Sequence, residues 1–210
     1  MTSVCAHANL LDPTAPWRYG TEQIIKAVKI AGTLGVKHVI TSEGDPKTDF
    51  GHTLSDDEAL FSIAEKLHAP LQMAVDYGVK ILIEPHGRIS DSIPLMERLF
   101  DKCNSEAFGA NLDTGNLWLG GGDPLEFINK FGDKIEHVHW KDLGEEYIPE
   151  RGKRFGCGMS LIALGQGVIG IENIYRSLVK SGFDGYSTLE IAGEEAVQES
   201  LSFLRGLGAE

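Results

Sequence analysis

The chain has 210 residues, 42% of them apolar and 24% charged, which is enough for one domain (residues 1–210) with a large core. Its 19 basic and 31 acidic residues give a formal charge of −12, which repels a phosphate backbone and argues against a nucleic-acid partner. No run approaches the ~20 apolar residues of a membrane span. The start, MTSVCAHANLLDP, lacks the basic and apolar segments of a secretory leader, and Cys5, Cys103 and Cys157 form no CxxC pair. A reducing, cytoplasmic setting is therefore expected. The acid excess reads as a solvated surface or a cation-binding cavity, and charge alone does not separate the two.

In chain order, Val4–Leu10 reads as a strand, and Thr21–Gly35 as a helix with Ile24, Ile25, Val28 and Leu34 on one face and a C-cap glycine. A strand follows at His38–Thr41. Ser55 and Glu58 have the form of a capping box opening a helix towards Tyr77, with a kink expected at Pro70. The strand Lys80–Glu84, the helix Ile93–Lys102 and the strand Gly109–Asp113 come next. Gly120–Gly122 is a turn, and Asp123-Pro124 with Glu126 starts another helix. The strand His137–Trp140, the helix Glu172–Ser181, the strand Tyr186–Glu190 and the helix Glu194–Leu207 complete the pattern. Runs such as ILIE are apolar throughout, as in strands covered on both faces. Strand and helix alternate at a spacing of roughly 30 residues, which a (β/α) barrel or an open doubly wound sheet requires. No GxGxxG or GxxxxGK[ST] follows a strand, and this favours the barrel.

Polar residues sit at the ends of these strands. Glu84 ends ILIE, Asp113 ends GANLD, His139 lies near the end of HVHW and Glu190 ends STLE. In parallel barrels the carboxyl ends of the strands build the active site. One such carboxylate is usually a cap or a loop acceptor, but four in succession are hard to explain that way. Three carboxylates converging would repel one another without a cation between them. His137 and His139 point to the same side of their strand, so alternation does not choose between them.

The pieces LGVKHVITSEG, GVKILIEPHG, ANLDTGN, EHVHWKD, GQGVIG and GFDGYSTLEI, in that order, span almost the whole chain. The set resembles the sugar phosphate isomerase/epimerase superfamily, the xylose isomerase-like barrels that include ketose 3-epimerases, hydroxypyruvate isomerase and inosose dehydratase. The resemblance implies Glu84, Asp113, His139 and Glu190 as metal ligands, and it selects His139 over His137, which becomes a core histidine. It also implies Glu84 and Glu190 as paired bases that pass a proton through an enediolate. Three carboxylates and one imidazole suit Mn²⁺ first, with Mg²⁺, Co²⁺ or Zn²⁺ as alternatives.

Further substrate contacts are expected at His86, Asn116, Lys141, Arg151, Arg154, Glu43 and His7. Lys141 reads equally as a surface salt bridge, and Trp118, Trp140 and Phe155 as a sugar-facing wall or as core. Asn116 stands where many relatives place a histidine, which weakens a close match to the ketose 3-epimerases. By the resemblance, the first strand here corresponds to the family's third, so about six strands are expected and two strand–helix units are lacking. A partner, most simply a second copy in a homo-oligomer, is then expected to cover the open edge. The leading expectation is a metal-dependent isomerase or epimerase of a ketose or sugar phosphate. The alternatives are a lyase on the same scaffold (a keto-polyol dehydratase, or a C-glycoside-cleaving subunit using the Gly144–Gly158 loop as partner contact) and a non-catalytic metal-binding subunit. DNA repair of the AP endonuclease type would need more histidines and a basic face.

Overall fold

A computed structural model describes residues 1–11, 19–44 and 49–209 of the chain. It divides into two compact units, Met1–Ala110 and Asn111–Glu210.

In the first unit, β1 (Ser3–Cys5), α1 (Tyr19–Leu34), β2 (His38–Ser42), α2 (Asp49–Thr53), α3 (Asp56–Tyr77), β3 (Lys80–Glu84) and α4 (Ile93–Cys103) lead into β4 (Phe108–Asp113), which ends in the second unit. The strands are parallel, with Val4 opposite Val39, Ile40 opposite Leu82, and Leu82 opposite Gly109. All five residues of β2 and all six of β4 are buried, the mark of strands covered on both faces. The helices cover them with apolar stripes at helical spacing: Ile24, Val28 and Ala31 on α1, and Leu60, Ile63, Leu67, Leu71 and Ala74 on α3. Each such buried Leu or Ile contributes about 1.5–3 kcal/mol. The capping box is present, with Ser55 Oγ accepting from the Glu58 N–H and Glu58 Oε2 accepting from the Ser55 N–H. Gly78 closes α3 in the left-handed region, and the helix runs through Pro70 without a break.

The strand expected at Val4–Leu10 is short, Ser3–Cys5. After Cys5 the chain leaves the sheet, and Leu10 and Leu11 are buried in a loop instead. That loop is held by α3, where Ser62 Oγ and Lys66 Nζ both donate to the Leu10 carbonyl at 2.7 and 2.9 Å.

The second unit contains α5 (Thr114–Leu119), α6 (Pro124–Phe131), β5 (Ile135–Trp140), α7 (Ile171–Ser181), β6 (Tyr186–Leu189) and α8 (Glu194–Leu207). Asp123 caps α6 through the Leu125 and Glu126 N–H groups. β5 and β6 are parallel, with His139 opposite Thr188. Tyr186–Thr188 are exposed, in contrast to the buried β5. Trp118, Leu119 and Leu143 form a small core with Tyr147, Cys157, Val168 and Ile169. The six-residue α5, the 3-10 turns at Gly132–Lys134 and Glu145–Glu150, and α2 in the first unit escaped the sequence reading. In the sheet the six strands follow one another in chain order, β1 to β6. None of the described helices is long and apolar enough to cross a membrane.

Candidate functional site

In the first unit, Glu84 closes β3 and is 3% exposed. His7, just past β1, makes a 2.9 Å hydrogen bond through Nδ1 with Ser42 Oγ at the end of β2. Its Nε2 lies 3.9 Å from Glu84 Oε2, and its ring centroid lies 6.0 Å from that of His86. His7 thus stands beside the strand-end carboxylate, with His86 next to it. Ser42 had not been singled out, although its position beside Glu43 at a strand end is the signal that finds it.

Glu43 behaves differently. It is 1% exposed and points into the loop that follows β3, accepting from the backbone N–H of Ser90 at 2.6 Å and of Ile89 at 3.2 Å. Burial raises its carboxyl above the ordinary value, and those hydrogen bonds only partly offset the effect. Its contacts are with that loop, through the backbone of Ile89 and Ser90 and the Ser90 side chain. A Cβ on Gly87 would lie 2.3 Å from Glu43 Oε1, so the loop closes onto the carboxylate only because residue 87 is glycine.

In the second unit Asp113, His139 and Glu190 come together. Asp113 ends β4 and is fully buried, and its Oδ1 caps α5 by accepting from the Asn116 N–H at 2.8 Å. That leaves Oδ2 facing the rest of the cluster. His139 Nδ1 lies 3.0 Å from Glu190 Oε1 and 3.9 Å from Asp113 Oδ2. His137, on the same side of β5, is fully buried, with Nδ1 2.9 Å from Asn111 Oδ1 and Nε2 3.4 Å from Thr188 Oγ1. Its place is the core.

Lys141 is 2% exposed, so the surface salt-bridge alternative is excluded. Its Nζ lies 3.0 Å from Asp113 Oδ2 and 2.6 Å from Glu190 Oε2. Burial pushes its pKa down, but the negative charge of Asp113 and its neighbours outweighs this and holds the ammonium's pKa above the ordinary lysine range. Burial likewise pushes Glu190 up, and contact with His139 and Lys141 reverses the effect, holding its carboxyl down to about 2. Asn116 Oδ1 accepts from Cys157 N–H at 2.9 Å, and Cys157 Sγ lies 3.1 Å from the same oxygen. Cys157, not foreseen from the sequence, is a neighbour of the cluster whose thiol burial pushes up to about 12.

Arg151 and Arg154 make their contacts away from this cluster. Arg151 donates to the Trp118 carbonyl at 3.1 Å and the Gly122 carbonyl at 3.2 Å, with its guanidinium 5.0 Å from the Trp118 ring centroid. Arg154 pairs with Glu150 on the surface at 2.9 Å. Trp118 and Trp140 are core, whereas Phe155 is 38% exposed. Asp142, beside Lys141, is a loop anchor. Its carboxylate accepts from the N–H groups of Leu143, Gly165, Gly167 and Ile169 at 2.9–3.3 Å.

Parallel strands joined by helices, with ionisable groups at the strands' carboxyl ends, define the (β/α)-barrel class. Within it, the chain belongs to the xylose isomerase-like TIM barrel family, whose profile matches residues 1–207. An inosose dehydratase of Clostridium perfringens is 24% identical over 208 residues, covering 90% of this chain and 69% of the relative. One from Lacticaseibacillus casei is 25% identical over 198 residues, covering 87% and 66%. Among solved structures, the IOLI protein with a bound zinc atom superposes with a TM-score of 0.78 at 19% identity, covering 97% of this chain and 75% of that one. That likeness establishes the fold.

Proposed function

We propose that the chain is a divalent-metal-dependent lyase that removes water from a keto-polyol of the inosose type. The observation that carries this reading is the gathering of Asp113 and Glu190 about His139, with contacts of 3.9 and 3.0 Å at the strands' carboxyl ends. Two further facts support it. Glu84, Asp113 and His139 are each buried and each of a metal-ligating type, and the relatives reported above are inosose dehydratases. Glu84 is taken as the fourth ligand. Carboxylate oxygens with one imidazole nitrogen are a donor set that fits Mn²⁺, with Mg²⁺, Co²⁺ and Zn²⁺ as alternatives, and the zinc-bearing IOLI structure is in keeping with such an ion.

A bound divalent ion would polarise the substrate carbonyl and acidify the adjoining C–H. The rest falls to the chain's own residues. Glu190, with its side chain 27% exposed, takes the proton from the carbon beside the carbonyl. Glu84 is the route by which a proton reaches the departing hydroxyl, which leaves as water. His7, His86 and Asn116 hold the remaining hydroxyls. The protein acts as one domain in the cytoplasm, and a second copy covers the sheet edge at the exposed β6.

The test is incubation of metal-stripped and Mn²⁺-reloaded protein with inosose, following the unsaturated product by absorbance and mass. Turnover that requires the ion and falls at least 100-fold in Asp113→Ala is expected. Unchanged inosose together with epimerised or isomerised ketose in a sugar panel would replace the lyase reading by an isomerase one. Failure of the wild type to bind Mn²⁺ would remove the metal from the account.

A further inference from the structure

Lys141 is the one member of the second-unit cluster that brings a permanent positive charge, and its surroundings are built to hold it. Thr114 Oγ1 donates to the Lys141 carbonyl at 2.7 Å and accepts from its N–H at 2.9 Å, which fixes the backbone. A Cβ on Gly115 would lie 2.7 Å from Lys141 Cβ, so the lysine stem fits only against a glycine. An ammonium has three hydrogens, and Nζ has Asp113 Oδ2 at 3.0 Å, Glu190 Oε2 at 2.6 Å, Asn116 Oδ1 at 3.3 Å and the Cys157 carbonyl at 3.4 Å to receive them. Asp113 Oδ1 caps α5, and the ammonium sits on the other oxygen, Oδ2, which faces the cluster.

From this geometry we infer that Lys141 is a built-in cation: it holds Asp113 and Glu190 together in the metal-free protein and competes with a divalent ion for them, thereby setting how tightly the ion binds. The inference rests on the metal-site reading given above. Two adjacent buried carboxylates cost heavily without a counter-charge. Lys141 supplies that charge before any metal arrives. Once an ion is bound, the same ammonium becomes a like charge beside it, and it weakens the binding. A lysine that merely packed would stabilise the fold without opposing the metal.

The experiment compares wild type with Lys141→Met and Lys141→Gln, reading thermal unfolding in chelator and Mn²⁺ affinity by calorimetry, each on the full chain. The expected result is a metal-free melting temperature lowered by several degrees in both variants, with Mn²⁺ bound at least tenfold more tightly and restoring the lost stability. If the wild type binds Mn²⁺ and the variants bind it equally or more weakly, the inference is overturned while the metal site stands. Binding seen only in the variants supports the inference and shows that the lysine holds the wild-type site against the ion. No binding in any of the three overturns both. Variants that stay unfolded at saturating Mn²⁺ also overturn it, because an ion competing for the same oxygens should replace the lost charge.

Discussion

Glu43 in the first unit and Asp142 in the second are both acids at or just beyond the carboxyl end of a strand, both buried, and both turned towards a loop rather than towards the ionisable groups nearby. Glu43 receives two backbone N–H groups from the loop after β3, and Asp142 receives four, three from the segment Gly165–Ile169 and one from its neighbour Leu143. Each is closely met by a glycine: a Cβ on Gly87 or on Gly167 would come within 2.3 Å of the carboxylate oxygen it faces. Asp113 ends β4 and Glu190 follows directly after β6, yet both face His139 and Lys141. The comparison teaches that a strand-end acid in this fold has two employments, moulding a loop or meeting a cation, and that its partners decide which.

The strongest way to break the comparison is Asp142→Ala. Four N–H groups would lose their acceptor, so a loss of roughly 3 kcal/mol or more is expected even after some of them reach water. Chemical denaturation measures it, and a loss under 1 kcal/mol would mean that the loop holds itself. Glu43→Gln is expected to cost less, about 1–2 kcal/mol, because one oxygen remains to accept. Here pH sharpens the contrast. The Glu43 carboxyl is raised in the folded state, so its contribution is complete below about 4.5 and is lost as pH rises through the folded value. The stability of wild type relative to Glu43→Gln should therefore fall as pH rises from that point, and a difference that rises instead would contradict the burial argument.

The smallest effect is expected at Glu58, the exposed version of the same device, whose carboxylate accepts from the Ser55 hydroxyl and N–H. The Ser55 side-chain hydrogen bond, with the backbone one, holds its carboxyl below the ordinary value of 4.5. Its contribution is present above that value and is lost as pH falls below it. Melting curves of Glu58→Gln against wild type should therefore differ slightly near neutrality and converge in acid. An equal difference at all pH values would show that the charge plays no part.

Much of this organisation could be read from the sequence where the causes are local. The Ser55 box, the Asp123 cap and the glycine stop at 35 act within a few residues, and the helices begin and end at or close to where those signals put them. The strand ends bearing Glu84, Asp113 and His139 were equally plain, because a buried apolar run that stops on an ionisable residue is visible without coordinates. What escaped depends on distant partners. Glu43 was expected to line a pocket, whereas the N–H groups that occupy it are 46 and 47 residues away. Lys141 read as well for the surface as for the site, and its burial is decided by Asp113 and by the room that Gly115 leaves. Residues 4–10 read as one strand, but α3 takes the Leu10 carbonyl and β1 ends at Cys5.

Cys157 carries a consequence for how the protein ages. Its sulfur lies among the polar groups of the second-unit cluster, 3.1 Å from Asn116 Oδ1, yet burial keeps it a thiol far above neutral pH. Thiolate is the form that peroxides and alkylating agents attack. A sulfur in this position could make the cluster a casualty of every oxidative episode; held protonated and half-buried, it leaves the cluster less open to such attack.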